Sequence, residues 1–116
     1  MKFSVNSLLF SGTMSTEDLY LLEKVKLLGF DMFEATPVDP QVFPASELRQ
    51  RAADLELGLN ANFALPLDAN TISPDPANRR RGIELSKRVV DLCLEAGVEV
   101  YCGANYAAWG YLPGHR

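Results

Sequence analysis

Three times in this chain an amphipathic stretch closes on a glycine and passes within a residue or two into a short apolar run. The glycines are Gly29, Gly58 and Gly97. Around them, residues 3–9, 30–35, 59–65 and 98–104 read as strands, and the longer intervals hold helical patterns. The order is β-α-β-α-β-α-β with no hairpin signal between strands. Successive strands joined through helices must run parallel, with right-handed crossovers. An open doubly wound sheet and part of a (β/α)8 barrel remain.

The local signals agree with this order. Ser15, with Asp18 three residues on, predicts a capped start for the first helix. Leu21, Leu22, Val25 and Leu28 form its apolar stripe, and Gly29 stands at the C′ position. Ser46 is the expected cap of the second helix, whose stripe is Leu48, Ala52 and Leu55. The third helix runs from about Ala77 to Ala96, with Leu85, Val89, Leu92 and Ala96 buried and Val90 and Cys93 widening the stripe. Glu84–Arg88 and Lys87–Asp91 are favourable pairs for its wet face.

The loops separate the two architectures. Those after the second, third and fourth strands are long and carry Pro37, Pro40, Pro44, Pro66, Asn70, Tyr106 and Trp109, whereas the returning loops are minimal. Ligand chemistry gathers at the carboxyl ends of parallel strands, so the long loops mark the functional face. Ser11-Gly12-Thr13 after strand one is no glycine-rich phosphate loop. The barrel is therefore the expected architecture, with residues 1–116 its N-terminal portion.

Composition narrows the function. A net charge of −4 argues against nucleic acid or an anionic membrane surface as partner. No apolar run approaches the ~20 residues of a membrane span, and residues 1–5 run directly into a strand pattern rather than a signal peptide. A cytoplasmic location is expected. Cys93 and Cys102 are too few for a disulfide scaffold and read as two buried, reduced thiols.

Period-two alternation decides which side chains enter the barrel. With Phe3 and Val5 facing the helices, Ser4 and Asn6 turn inward. With Leu59, Ala61 and Phe63 facing the helices, Asn60 and Asn62 turn inward. Glu34 ends strand two on the face it shares with Met32. Polar groups so placed suit the rim of a polar-ligand pocket.

The stretch Ser73-Pro74-Asp75-Pro76-Ala77-Asn78-Arg79-Arg80-Arg81-Gly82-Ile83-Glu84, continuing through Lys87-Arg88-Val89-Val90-Asp91-Leu92 to Gly97, resembles the third loop and helix of the tagatose/allulose 3-epimerase group. Leu28-Gly29-Phe30-Asp31-Met32-Phe33-Glu34 is similar to that group's second strand. Residues 102–111 resemble the loop after its fourth strand, with a pocket tryptophan. The resemblance implies an α/β fold, a xylose-isomerase-like TIM barrel of which this chain holds the first four parallel strands and three helices. It implies an activity that moves a proton at the carbon beside a sugar carbonyl, with a divalent metal (Mn, Mg or Co) and two glutamates. That group carries its metal ligands and proton-transfer glutamates on strands five to eight. No catalytic residue, metal ligand or bound cofactor is therefore expected within this chain alone.

The resemblance carries over a substrate-side wall of Asn6, Glu34, Asn62, Ala104, Tyr106 and Trp109, with a small-molecule sugar as partner. Asn6 and Asn62 stand where relatives often have aromatic or small apolar residues, which implies a more polar pocket. Each residue has a plainer alternative. Glu34 can order a loop through an ion pair, the two asparagines can satisfy one another, and Trp109 can simply cover the barrel mouth. Asp68 and the Arg79-Arg80-Arg81 run read as solvated, and His115 alone cannot build a metal site. Inosose dehydratases and hydroxypyruvate isomerases share the fold and remain alternatives, as does a noncatalytic half-barrel. Four strands leave two unpaired edges and one open face, so self-association into a homo-oligomer is expected.

Overall fold

The structure is a computed structural model that describes residues 1–114; His115 lies outside the described residues. Four strands, β1 (Ser4–Asn6), β2 (Met32–Ala35), β3 (Gly58–Leu65) and β4 (Val100–Ala108), alternate with three helices, α1 (Leu21–Leu27), α2 (Ala45–Asp54) and α3 (Pro76–Glu95). The strands form one sheet in the order β1-β2-β3-β4, and every pairing is parallel. This is the first half of a (β/α)8 barrel: the strands follow in chain order, without the reversal of a doubly wound sheet.

The helices cover one face of the sheet. Val5, Phe33 and Leu59 from the strands pack with Leu21, Leu22 and Val25 of α1, Leu48 and Ala52 of α2, and Leu92 of α3. Ala61, Phe63 and Leu65 pack with Val89 and Cys93 farther along. Along β3 the alternation is complete: Leu59, Ala61, Phe63 and Leu65 are buried, and Gly58, Asn60, Asn62 and Ala64 are half-exposed on the inner face. Burial of each large apolar side chain in this layer contributes ~1.5–3 kcal/mol, which holds the helices to the sheet.

Several local expectations are corrected. β1 is only three residues long because the Asn6 side chain accepts a hydrogen bond from Leu8 N (2.7 Å) and winds Ser7–Leu9 into a 3-10 turn. Phe3 precedes the strand and is exposed rather than packed on the helices. Ser15 and Asp18 do form a capping box, but on a 3-10 turn at Thr16–Asp18; α1 starts later, and Leu28 at its end is exposed. Ser46 does not cap α2. Pro44 precedes the helix, and the Ser46 hydroxyl instead donates to Glu95 Oε1 of α3 at 2.7 Å.

α3 is capped by Asp75, which accepts from Ala77 N at 2.9 Å, with Pro76 in the first turn where a missing N–H costs nothing. Val90 is half-exposed and does not join the buried stripe. Neither Glu84–Arg88 nor Lys87–Asp91 closes into an ion pair; the pair among the described residues is Arg51–Glu23 at 2.7 Å. Cys93 is buried and Cys102 exposed, so only one of the two thiols is a core residue. The arginine run is not simply solvated: Arg79 Nη1 donates to the Ser73 and Pro74 carbonyls, and Arg81 Nε donates to that of Asp68. The run fastens the loop before α3. No helix among the described residues is long and apolar enough to cross a membrane.

Candidate functional site

At the carboxyl ends of the strands the four connecting segments enclose an open cavity of about 670 Å³. Leu8 follows β1, Thr36 and Val38 follow β2, Asn62 belongs to β3, and Ala104 and Trp109 come from β4 and its end. The lining is mostly apolar with a few polar groups, the usual make-up of a small-molecule site.

β4 reaches farther than its apolar pattern predicts, to Ala108, and so Tyr106 as well as Ala104 lies within the strand. The pairing with β3 shifts between Ala64 and Leu65, whose partners are Ala104 and Ala108. The three intervening residues bulge out, and Tyr106 is almost fully exposed there, apart from the cavity. Past the bulge the strand is fastened again. Asn70, 1% exposed, accepts from Ala108 N at 3.1 Å through Oδ1, and Trp109 N donates to Leu65 O at 2.7 Å. These bonds set Trp109 at the cavity wall, with 73% of its surface still exposed.

The polar floor is one connected network. Asn62 Nδ2 donates to Glu34 Oε1. The Thr36 hydroxyl lies 2.6 Å from Asn62 Oδ1 and 3.4 Å from Asn6 Oδ1. Lower on the same face, Ser4 Oγ donates to Asn60 Oδ1 at 2.9 Å. Register explains the meeting: Asn6, Glu34 and Asn60 stand opposite one another across β1, β2 and β3, and Asn62 is one inward step beyond Asn60. The two asparagines do not satisfy one another directly; Thr36 stands between them. Glu34 takes the amide of Asn62 and forms no ion pair among the described residues.

Of the six anticipated wall residues, Asn62, Ala104 and Trp109 line the cavity. Asn6 and Glu34 reach it through the network, and Tyr106 stands outside. Thr36 is the residue the pattern omits. Met32, Glu34 and Thr36 continue one inward-facing alternation, but the proline that follows Thr36 made the position read as loop.

These side chains do not fit a divalent cation. Glu34 is occupied by an amide, and no group of three or more His, Cys, Asp or Glu among the described residues converges as a cation would require. Nearby, burial pushes the Cys93 thiol and the Tyr101 phenol above their ordinary pKa values; Cys93 and Cys102 add electrostatically to the rise at Tyr101.

A half-barrel of parallel strands with a partly polar cavity at their carboxyl ends defines the class: an N-terminal portion of a xylose-isomerase-like TIM barrel. Within that class the chain is similar to an N-terminal part of the ketose 3-epimerases. It is 31% identical over 109 residues to a ketose 3-epimerase of Arthrobacter globiformis, a match covering 93% of this chain and 38% of that enzyme. It is 29% identical to the L-ribulose 3-epimerase of Mesorhizobium japonicum, covering 94% and 37% of the two chains. The crystal structure of a D-allulose 3-epimerase from Methylomonas sp. superposes with a TM-score of 0.90 at 25% identity, over 98% of this chain and 40% of the other. The chain thus spans about two fifths of the length of the curated relatives it matches. No protein-family profile matches it.

Proposed function

We propose that this chain supplies the substrate-side wall of a metal-dependent ketose 3-epimerase, which moves a proton at the carbon beside a sugar carbonyl. The observation that carries the reading is the convergence of Asn62, Ala104 and Trp109 on one cavity at the functional end of the sheet. Trp109 offers a flat ring for a sugar's apolar C–H face, and Asn62 offers an amide for its hydroxyls. Leu8, Val38 and Ala104 add apolar lining beside them. Asn6 and Glu34 support this wall from behind, and Tyr106 takes no part in it. Glu34 is held by the Asn62 amide, so the part proposed for this chain is the wall, and neither the cation nor the proton transfer is assigned to it. A small sugar in the cytoplasm, rather than nucleic acid or membrane, is the partner that the acidic charge and this cavity suit.

A chimera tests the reading. This chain would replace the matching part of the Arthrobacter globiformis enzyme, and ketose epimerisation would be assayed after circular dichroism confirms folding. Turnover that falls on Trp109→Ala mainly through KM supports a binding wall. A folded chimera without turnover contradicts it.

A second reading concerns the chain by itself. The outer edges of β1 and β4 are unpaired among the described residues, and Val100 and Cys102 are exposed at the β4 edge. Unpaired strand edges template further pairing. Chains of these 116 residues are therefore proposed to self-associate, with two half-barrels covering each other's inner faces.

A further inference from the structure

The hydrogen-bond geometry of the cavity floor assigns a task to Thr36. Its backbone is fixed from both sides: its N–H donates to the buried Ser7 Oγ at 3.1 Å, and its carbonyl accepts from Val38 N at 2.9 Å. Branching restricts threonine's χ1, and in the rotamer present the hydroxyl faces Asn62 and Asn6. That hydroxyl has one proton to give. Asn6 Oδ1, at 3.4 Å, already accepts from Leu8 N at 2.7 Å, whereas Asn62 Oδ1 lies at 2.6 Å. The proton goes to Asn62.

The consequence falls on the Asn62 carboxamide. Its oxygen is held by Thr36 and one Nδ2 proton by Glu34. A flipped amide would set its oxygen against the Glu34 carboxylate, two acceptors face to face. The orientation is thereby fixed, and one Nδ2 proton remains untaken among the described residues. Asn62 lines the cavity. We propose that Thr36 is a positioning residue: it holds the Asn62 amide so that this second N–H faces the cavity and donates to an oxygen of a bound ketose. The inference rests on the sugar-wall reading and deepens it, since it names the donor and the group that aims it.

The test uses side-chain amide NMR of the chain, with D-allulose as the probe. In the sugar-free chain the two Asn62 Nδ2 protons should be well separated, and the Thr36 hydroxyl proton should exchange slowly enough to be seen. D-allulose should shift one of the two Asn62 protons. Thr36→Val keeps the shape and removes the hydroxyl. It should draw the two amide resonances together and weaken sugar binding about ten-fold, the worth of one well-made hydrogen bond. Thr36→Ser should restore both, which a purely structural role for the methyl group would not. A valine variant that keeps the amide pattern and the affinity overturns the assignment. Should that variant fail to fold, an invisible, fast-exchanging Thr36 hydroxyl in the unsubstituted chain overturns it instead. If D-allulose shifts neither Asn62 nor Trp109 while the sugar-free pattern is as described, the sugar-wall reading falls, and with it the role toward a ketose; the hydrogen-bond assignment stands.

Discussion

Replacing Gly103 by alanine should be among the most damaging small changes this chain can suffer. Gly103 pairs with Phe63 across β3 and β4, and its φ of +132° is one that side-chain-bearing residues rarely adopt. A Cβ there would overlap Phe63 O and lie 2.8 Å from Phe63 N. Neither atom can swing away, because both belong to the neighbouring strand's backbone. The strained conformation alone costs ~1–3 kcal/mol. Moving β4 off β3 to relieve the overlap loses one or two ladder hydrogen bonds at ~1 kcal/mol each. The sum is ~2–5 kcal/mol, a large share of the ~5–15 kcal/mol that a domain possesses. Gly110→Ala is the matched control, since φ there is +75° but nothing lies within 4 Å of the added carbon. It should cost only the ~1 kcal/mol of left-handed strain. Urea unfolding followed by circular dichroism separates the two. With a slope of ~1–3 kcal/mol per molar, Gly103→Ala should lower the midpoint by ~2 M and Gly110→Ala by ~0.5 M. Equal midpoints for the two variants would refute the close approach of β4 to Phe63.

Asn70→Ala should cost ~2–4 kcal/mol by thermal or urea unfolding, because it removes the acceptor for both Ile72 N and Ala108 N and leaves two donors without partners. In a thiol-labelling time course at pH 8, exposed Cys102 should react promptly, and buried Cys93 only once denaturant is added. The thiol of Cys93 and the phenol of Tyr101 are both raised by burial from ordinary values of 9.0 and 10.0. Above about pH 9 the unfolded chain sheds protons that the folded chain retains, so the stability these groups contribute is full below that pH and declines as pH climbs. A stability that rises between pH 9 and 11 would contradict this. Light scattering should find the chain self-associated; a cooperative monomer at tens of micromolar would contradict the second reading of its open edges.

Strand order and direction were legible in the sequence because they follow from covalent order and chirality. The alternation through Gly29, Gly58 and Gly97 leaves little freedom, and β3 displays its two faces in Leu59–Leu65 directly. The inward set Ser4, Asn6, Glu34, Asn60 and Asn62 was legible for the same reason. Local boundaries were less so, because rival hydrogen bonds decide them. Asn6 bends its own strand into a turn, and Ser46 reaches another helix instead of its own N–H groups. The far end of β4 was hidden because its continuation depends on Asn70, thirty-eight residues earlier. Tyr106 was misplaced by that bulge. Glu56 shows the same limit: it takes the left-handed turn after α2 at φ 49°, while Gly58 is the residue whose added carbon would meet Met32 Cγ at 2.9 Å. Thr36 escaped because a following proline signals a loop, although the inward alternation runs one step farther.

A ketose-binding wall in this chain should report its occupant through a single side chain. Trp109 is the one tryptophan in the sequence and lies on the cavity. Its fluorescence should therefore respond to whatever fills that space, without any label. Titration of the chain with D-allulose should give a saturable change in Trp109 emission. Asn62→Leu, which leaves the tryptophan in place and removes the amide, should weaken the response about ten-fold. A linear or absent response to D-allulose, or a saturable one that Asn62→Leu leaves untouched, would contradict a ketose-binding wall of Asn62 and Trp109.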